Sequence, residues 1–233
     1  MEEWLAFARG PVFRFAIAIM ILGILRHVLV TVLSVRTIMA RAGDKSLPWK
    51  SIRSATLGWL FPVKHLGQSR FFTAASITFH AGVVLAPLFL MSHVLLIDQA
   101  IGISWPTLPN LLADILTVLA IAGLTAVFLT RVGTRGGRVL SRASDYTILI
   151  LTALPFLSGF LLMHPALNPF PFQATMLVHV FSGCVLLGIL PFTKLIHVVV
   201  LPATQLVSEA GWHFPPDAGE KVGAALGKEN QPI

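Results

Sequence analysis

The strict alternation of apolar and polar positions that marks half-buried strands is missing from this chain, and so is the narrow apolar stripe of a soluble surface helix. In their place stand five long apolar runs, at residues 12–39, 71–97, 108–130, 145–163 and 174–200. A hydrocarbon core about 30 Å thick takes roughly 20 residues of helix to cross, and each run is of that order. The pattern predicts an all-α membrane protein with five transmembrane helices over residues 1–202, followed by a tail, 203–233, rich in Gly and charge. The first run lacks a small-residue cleavage site after a short apolar core, so the stretch from Pro11 to Ala40 reads as a retained span. No fixed-period repeat and no phosphate- or dinucleotide-binding glycine pattern occurs.

The polar linkers give a direction. Residues 41–70 carry Arg41, Lys45, Lys50, Arg53, Lys64 and Arg70 against the single Asp44, and residues 131–142 carry Arg131, Arg135, Arg138 and Arg142 with no acid. Segments 98–109 and 164–173 contain neither Lys nor Arg. Short cytoplasmic loops retain basic residues, so the N-terminus is expected outside and the C-terminus in the cytoplasm. Within the first basic linker, residues 47–66 mix Trp49, Ile52, Leu57 and Trp59 with Lys50, Arg53 and Lys64. That mixture predicts an amphipathic helix lying in the interface, as an anchor or as a dock for a soluble partner. From Ser208 the tail, with Pro215 and Pro216, reads as extended polypeptide.

Composition narrows the function classes. The chain is 55% hydrophobic and 12% charged, with a mean hydropathy of +0.81, which excludes a soluble enzyme, a disordered segment and a nucleic-acid-binding domain. The net charge of +7 then records two basic linkers rather than a polyanion partner; the partner implied is a lipid bilayer. One cysteine, Cys184, lies inside an apolar run. No disulfide, zinc cluster or iron–sulfur cluster is built from one thiol, and no CxxCH motif offers covalent haem attachment.

Metal chemistry would therefore fall to histidine, of which there are eight. His27, His80, His93, His179 and His197 lie within apolar runs, where ionisable groups are costly and mark candidate sites. On one continuous helix, His179 and His197 are 18 residues apart, about five turns and about 27 Å, and share a face. His80 and His93 are 13 residues apart, about 140° off a common face on an ideal helix. Pro87 lies between them, and the distortion it causes is expected to turn both imidazoles inward. With the second and fifth helices antiparallel, His80 falls level with His197 and His93 with His179. Paired imidazoles across facing helices are how a helical bundle grips haem, and two such pairs stacked along the membrane normal would carry electrons across it. Gly82 and Gly183, beside these ligands, are expected to leave room for the macrocycle. The alternative is that the histidines link helices by hydrogen bonds, or relay protons in a transporter.

The segment Thr175 to Pro202, TMLVHVFSGCVLLGILPFTKLIHVVVLP, resembles the last transmembrane helix of the respiratory nitrate reductase gamma subunit and its relatives, which include the membrane cytochromes b of sulfate-reducer menaquinone redox complexes. FHAGVVLAPLFLMSH, Phe79 to His93, resembles the second helix of that family, and LPFLSGFLLMHPALNPF, Leu154 to Phe170, the fourth helix and following loop of the sulfate-reducer branch. The resemblance runs from about Phe71 to Pro202. It implies a di-haem cytochrome b of the bacterial cytoplasmic membrane, a subunit of a quinone oxidoreductase, with two b-type haems. Electrons would pass between membrane quinol or quinone and iron–sulfur or other soluble subunits on the cytoplasmic side. His80 and His197 would ligate the inner haem, His93 and His179 the outer.

Further candidates are weaker. Arg26, Arg70 and Lys194 are possible partners for haem propionates, against ordinary flanking or seam residues. His27 is a candidate for lining a quinone pocket. His164, at the outer end of the fourth run, is a candidate quinone-site proton acceptor, since an imidazole titrates near neutrality. Asp98 has a similar, lesser claim.

Overall fold

A computed structural model describes residues 1–42, 48–60, 70–211 and 218–228. Among them every regular element is helical. Four helices are long and apolar enough to cross a membrane, Glu2–Thr37, Asn110–Gly133, Ala143–Met163 and Phe172–Phe192; the bent pair Ser76–Phe89 and Met91–Ile101 makes five if it counts as one span. The side chains are distributed for lipid rather than water. Only 11% of the most apolar window of the first helix is buried, and Phe15 and Leu111 are 68% and 73% exposed. Apolar surface on this scale requires an apolar solvent, and helices satisfy their backbone groups within it. The chain is an all-α integral membrane protein.

The first span starts ten residues earlier than the apolar run. Helix α1 (Glu2–Phe7) passes through a π-turn at Ala8–Val12 into α2 (Phe13–Ala42). Pro11 cannot donate in a regular helix interior, and the wider turn accommodates it without a break.

Two compact units divide the chain, Met1–Ile19 with His65–Ile189, and Met20–Lys64 with Leu190–Ile233, where the sequence placed one boundary at 202. In the first unit, α4 (Arg70–Phe89), α6 (Asn110–Gly133), α8 (Ala143–Met163) and α9 (Phe172–Ile189) pack in succession. Helices α4 and α6 meet closely: a Cβ on Gly82 would strike the Leu116 carbonyl, and one on Gly123 would come within 2.5 Å of the Phe79 Cβ. Small residues at a crossing let membrane helices approach backbone to backbone. Gly82 is thus a packing residue rather than clearance for a macrocycle, and Gly183 faces open space. Ala8, Phe13, Ala16 and Ile17 pack against Val180 and Cys184 of α9. The basic linker after α6 is folded as α7 (Arg135–Leu140). Its ends are held by buried Asp145, which accepts the Arg142 backbone N–H (2.9 Å) and stands 3.9 Å from the Arg131 guanidinium.

The distortion expected at Pro87 is present, three residues downstream. Leu90 is extended (φ −68°, ψ 130°) between α4 and α5 (Met91–Ile101), and the two helices bend by 52°. The break takes the N–H groups at 91–93 away from the carbonyls of Pro87, Leu88 and Phe89, a costly loss in lipid. All three are satisfied otherwise. The His93 ring Nδ1–H donates to Pro87 (2.9 Å), the Trp105 indole N–H to Leu88 (2.7 Å) and the Leu108 N–H to Phe89 (2.9 Å).

The fifth run does not form one helix. Helix α9 ends at Ile189, 3-10 turns follow at Leu190–Phe192 and Lys194–Ile196, and His197 opens α10 (His197–Gly211). Pro191 brings no N–H to the ladder, and Thr193 is extended (φ −124°, ψ 178°). The five-turn relation between His179 and His197 therefore does not hold. In the second unit, α3 (Trp49–Leu60) buries Ile52 against Leu206 and Ala210 of α10, leaving Trp49 and Leu57 exposed. The amphipathic segment thus packs its inner face on protein. Lys45 and Lys64 of that linker, and residues 212–217 and 229–233 of the tail, lie outside the described residues. The tail, expected to be extended from Ser208, is helical through Gly211 and again in α11 (Ala218–Ala225).

Trp105→Phe removes the indole donor while keeping an aromatic ring, leaving the Leu88 carbonyl unsatisfied. The expected loss is about 1–3 kcal/mol, measured by unfolding in detergent, with Trp4→Phe at an exposed position causing no comparable change.

Candidate histidine site

His93 on α5 and His179 on α9 face each other. Their ring centroids are 5.8 Å apart and their planes differ by 14°. Each ring is fixed by its Nδ1, which donates to a backbone carbonyl at 2.9 Å, Pro87 for His93 and Pro155 for His179. The Ser158 hydroxyl is a further contact of His179 Nδ1 at 3.3 Å. With Nδ1 committed as donor, the lone pair sits on Nε2. Among the described residues no partner meets either Nε2.

Local sequence explains the fit. The break after Pro87 exposes the carbonyl that holds His93. Pro155 lies one turn before Gly159 in α8, and a Cβ on Gly159 would stand 2.9 Å from His179 Cε1. Only glycine there lets the imidazole reach the Pro155 carbonyl. Gly159 thus makes room for the His179 ring, a role that sequence reasoning did not assign to it. Its signal was legible in the small Ser158–Gly159 pair one turn beyond a proline.

The donor set was tested against haem. The two rings stack with centroids 5.8 Å apart, and each has an Nε2 lone pair that a metal could take. Among the described residues no group of three His, Cys, Asp or Glu side chains comes together. A pair of imidazoles suits a metal that brings its other ligands with it, as a porphyrin does. A Nδ1–H donated to a carbonyl is the outer contact that orients ligating histidines and raises their basicity.

The other predicted residues are placed as follows. His80 on α4 donates Nδ1–H to its own helix at Ser76 O (2.7 Å), and His197 to Lys194 O (2.5 Å); the two fall in separate units. His27 behaves differently: its Nε2 donates to Pro191 O (2.9 Å), beside Gly23, whose missing side chain makes room for the proline ring. That bond makes His27 a fastening at the α9–α10 break. Arg26 is exposed on α2 and Lys194 is exposed in the turn before His197. Arg70 opens α4, and its side chain lies outside the described residues. His164 caps α8, its Nδ1–H donating to Phe160 O (3.0 Å) and its ring stacked on Phe160. Its Nε2 lies 3.7 Å from the Asp114 carboxylate on α6. Sequence reasoning missed that partner; the signal was the lone acid in the first turns of the third span.

The chain is 40% identical over 152 residues to a protein of Nitratidesulfovibrio vulgaris (strain Hildenborough), whose name states no activity. The match spans 64% of this chain and 66%, just under two thirds, of the relative. No family profile and no solved structure matches the chain.

Gly159→Val is expected to push His179 off the Pro155 carbonyl, read as loss of its hydrogen-bonded Nδ1–H signal in the spectrum of 15N-histidine-labelled protein. Gly183→Val, at a site with open space, should leave that signal in place.

Proposed function

We propose that the chain is a di-haem cytochrome b, the membrane subunit of a respiratory quinol or quinone oxidoreductase in the bacterial cytoplasmic membrane. The observation that carries this reading is the His93–His179 pair, two near-parallel imidazoles with their Nδ1 atoms tied to carbonyls and no partner at either Nε2 among the described residues. Haem, when bound, supplies one-electron transfer at a potential set by its axial ligands and surroundings. In this chain His93 and His179 would hold the outer haem, with the Pro87 and Pro155 carbonyls fixing ring orientation and Gly159 providing clearance. His80 and His197 are proposed for the inner haem on their sequence pattern. Arg26, Arg70 and Lys194 are offered to propionates on charge alone.

With the bent α4–α5 pair counted as one span the chain would cross five times, and the basic linkers would then put the N-terminus outside. The His164 end of α8 faces outward in that orientation, where His164 would accept a proton from quinol. Exposed Arg135 and Arg138 of α7, on the cytoplasmic side, would attract the acidic face of an iron–sulfur or other soluble redox subunit. The alternative is a transporter in which the histidines relay protons.

A pyridine haemochrome assay of the purified full chain decides between them. Two haems b per chain are expected. His93→Ala and His179→Ala should each lose the same haem, identified by optical redox titration, and His80→Ala and His197→Ala the other. Protein that binds no haem would overturn the proposal and favour the proton relay.

A further inference from the structure

We propose that Asp114 is the positioning partner of His164 and that the two hold one proton between them, forming the proton-exchange site for a quinol headgroup seated beside the N-terminus of α6. This rests on the quinone reading above, and names the residues that would serve it.

His164 Nδ1 faces the Phe160 carbonyl, which can only accept, so the proton is on Nδ1 and the second nitrogen faces the Asp114 carboxylate. Two lone-pair groups 3.7 Å apart repel unless a proton joins them; with it they form an imidazolium–carboxylate pair. The separation is too long for a direct hydrogen bond but is an ion-pair distance. Both side chains are about one-third exposed (33% and 34%), so the proton can be exchanged. Asp114 is the charged group that the contacts among the described residues bring to His164. The 3-10 turn Pro165–Leu167 and the first turn of α9 carry no ionisable residue.

A cleft opens at the N-terminus of α6, one helical turn before Asp114. A cleft of about 440 Å³ is lined by Met91, Thr107, Leu108, Pro109 and Asn110, within the range of roughly 300–1,000 Å³ usual for small-molecule sites. Asn110 and Asp114 are four residues apart on α6 and share a face, while Met91 lies two residues from His93. A cleft of mixed lining, with the Thr107 hydroxyl and the Asn110 amide among Met91, Leu108 and Pro109, one turn from a carboxylate–imidazole pair, suits a molecule that joins an apolar body to a hydroxylated ring. Oxidation of one quinol yields one quinone, two protons and two electrons. The two electrons would leave one at a time to the haems proposed above; with the pair's own proton first released to solvent, His164 Nε2 takes one quinol proton, which restores the shared proton, and the other goes to solvent. Reduction of quinone is the reverse.

The test uses the full chain in nanodiscs with a soluble naphthoquinol, following haem reduction by stopped flow against pH. With both haems retained, Asp114→Asn and His164→Gln should each slow reduction about tenfold or more. Asp114→Glu should restore most of the rate lost in Asp114→Asn. Infrared pH-difference spectra, which need no haem, should show the loss of the His164 imidazolium accompanied by a shift of the Asp114 carboxylate bands in the wild type, and no carboxylate response in Asp114→Asn. Unchanged rate and profile in Asp114→Asn with two haems bound would overturn this inference and leave the di-haem reading standing. Wild-type protein without haem would overturn that reading, and the quinol assignment with it.

Discussion

Backbone carbonyls in lipid must find donors, and the architecture turns on how this chain meets that requirement where its helices break. Water is absent, so each orphaned carbonyl costs several kcal/mol. At Leu90 three carbonyls lose their helical donors, and they recover an imidazole, an indole and a backbone N–H. The imidazole is that of His93. One hydrogen bond both completes the backbone and fixes the orientation of a ring within the membrane.

The same device recurs in altered form. Pro155 lies inside an unbroken helix, and its carbonyl is reached from outside by His179 because Gly159 leaves the approach open. Pro191 accepts from His27 at the break between α9 and α10. Three prolines thus hold three intramembrane histidines, but not equivalently. Among the described residues His93 and His179 bond through Nδ1 alone, whereas His27 spends Nε2 on the carbonyl. Which nitrogen is committed separates a ligand candidate from a fastening.

Much of the fold was legible in the sequence, because hydropathy and helix length are tied to bilayer thickness. The long apolar runs, the amphipathic helix at Trp49–Leu60 and a distortion near Pro87 were all readable. What failed were inferences that assumed ideal helices. The run at 174–200 is apolar throughout, yet Pro191 and extended Thr193 divide it, so apolarity did not imply continuity. Pro11 looked like a helix start, whereas a π-turn carries the helix through it to Glu2. In the candidate site, the histidines were found from their cost in lipid, but their partners were not. Gly159 and Asp114 act across helices, and a contact between elements leaves no periodic trace along one chain. The glycines nearest the histidines in sequence served helix packing or faced open space.

Electron paramagnetic resonance of the oxidised, purified protein tests the central claim most directly, since the line shape of a low-spin ferric haem reports the angle between its two axial imidazole planes. Planes 14° apart at His93 and His179 predict a rhombic low-spin component that is lost in His179→Ala, while the component of the haem proposed at His80 and His197 remains. Absence of any low-spin ferric signal from the wild type, or a spectrum left unchanged by His179→Ala, would contradict the account.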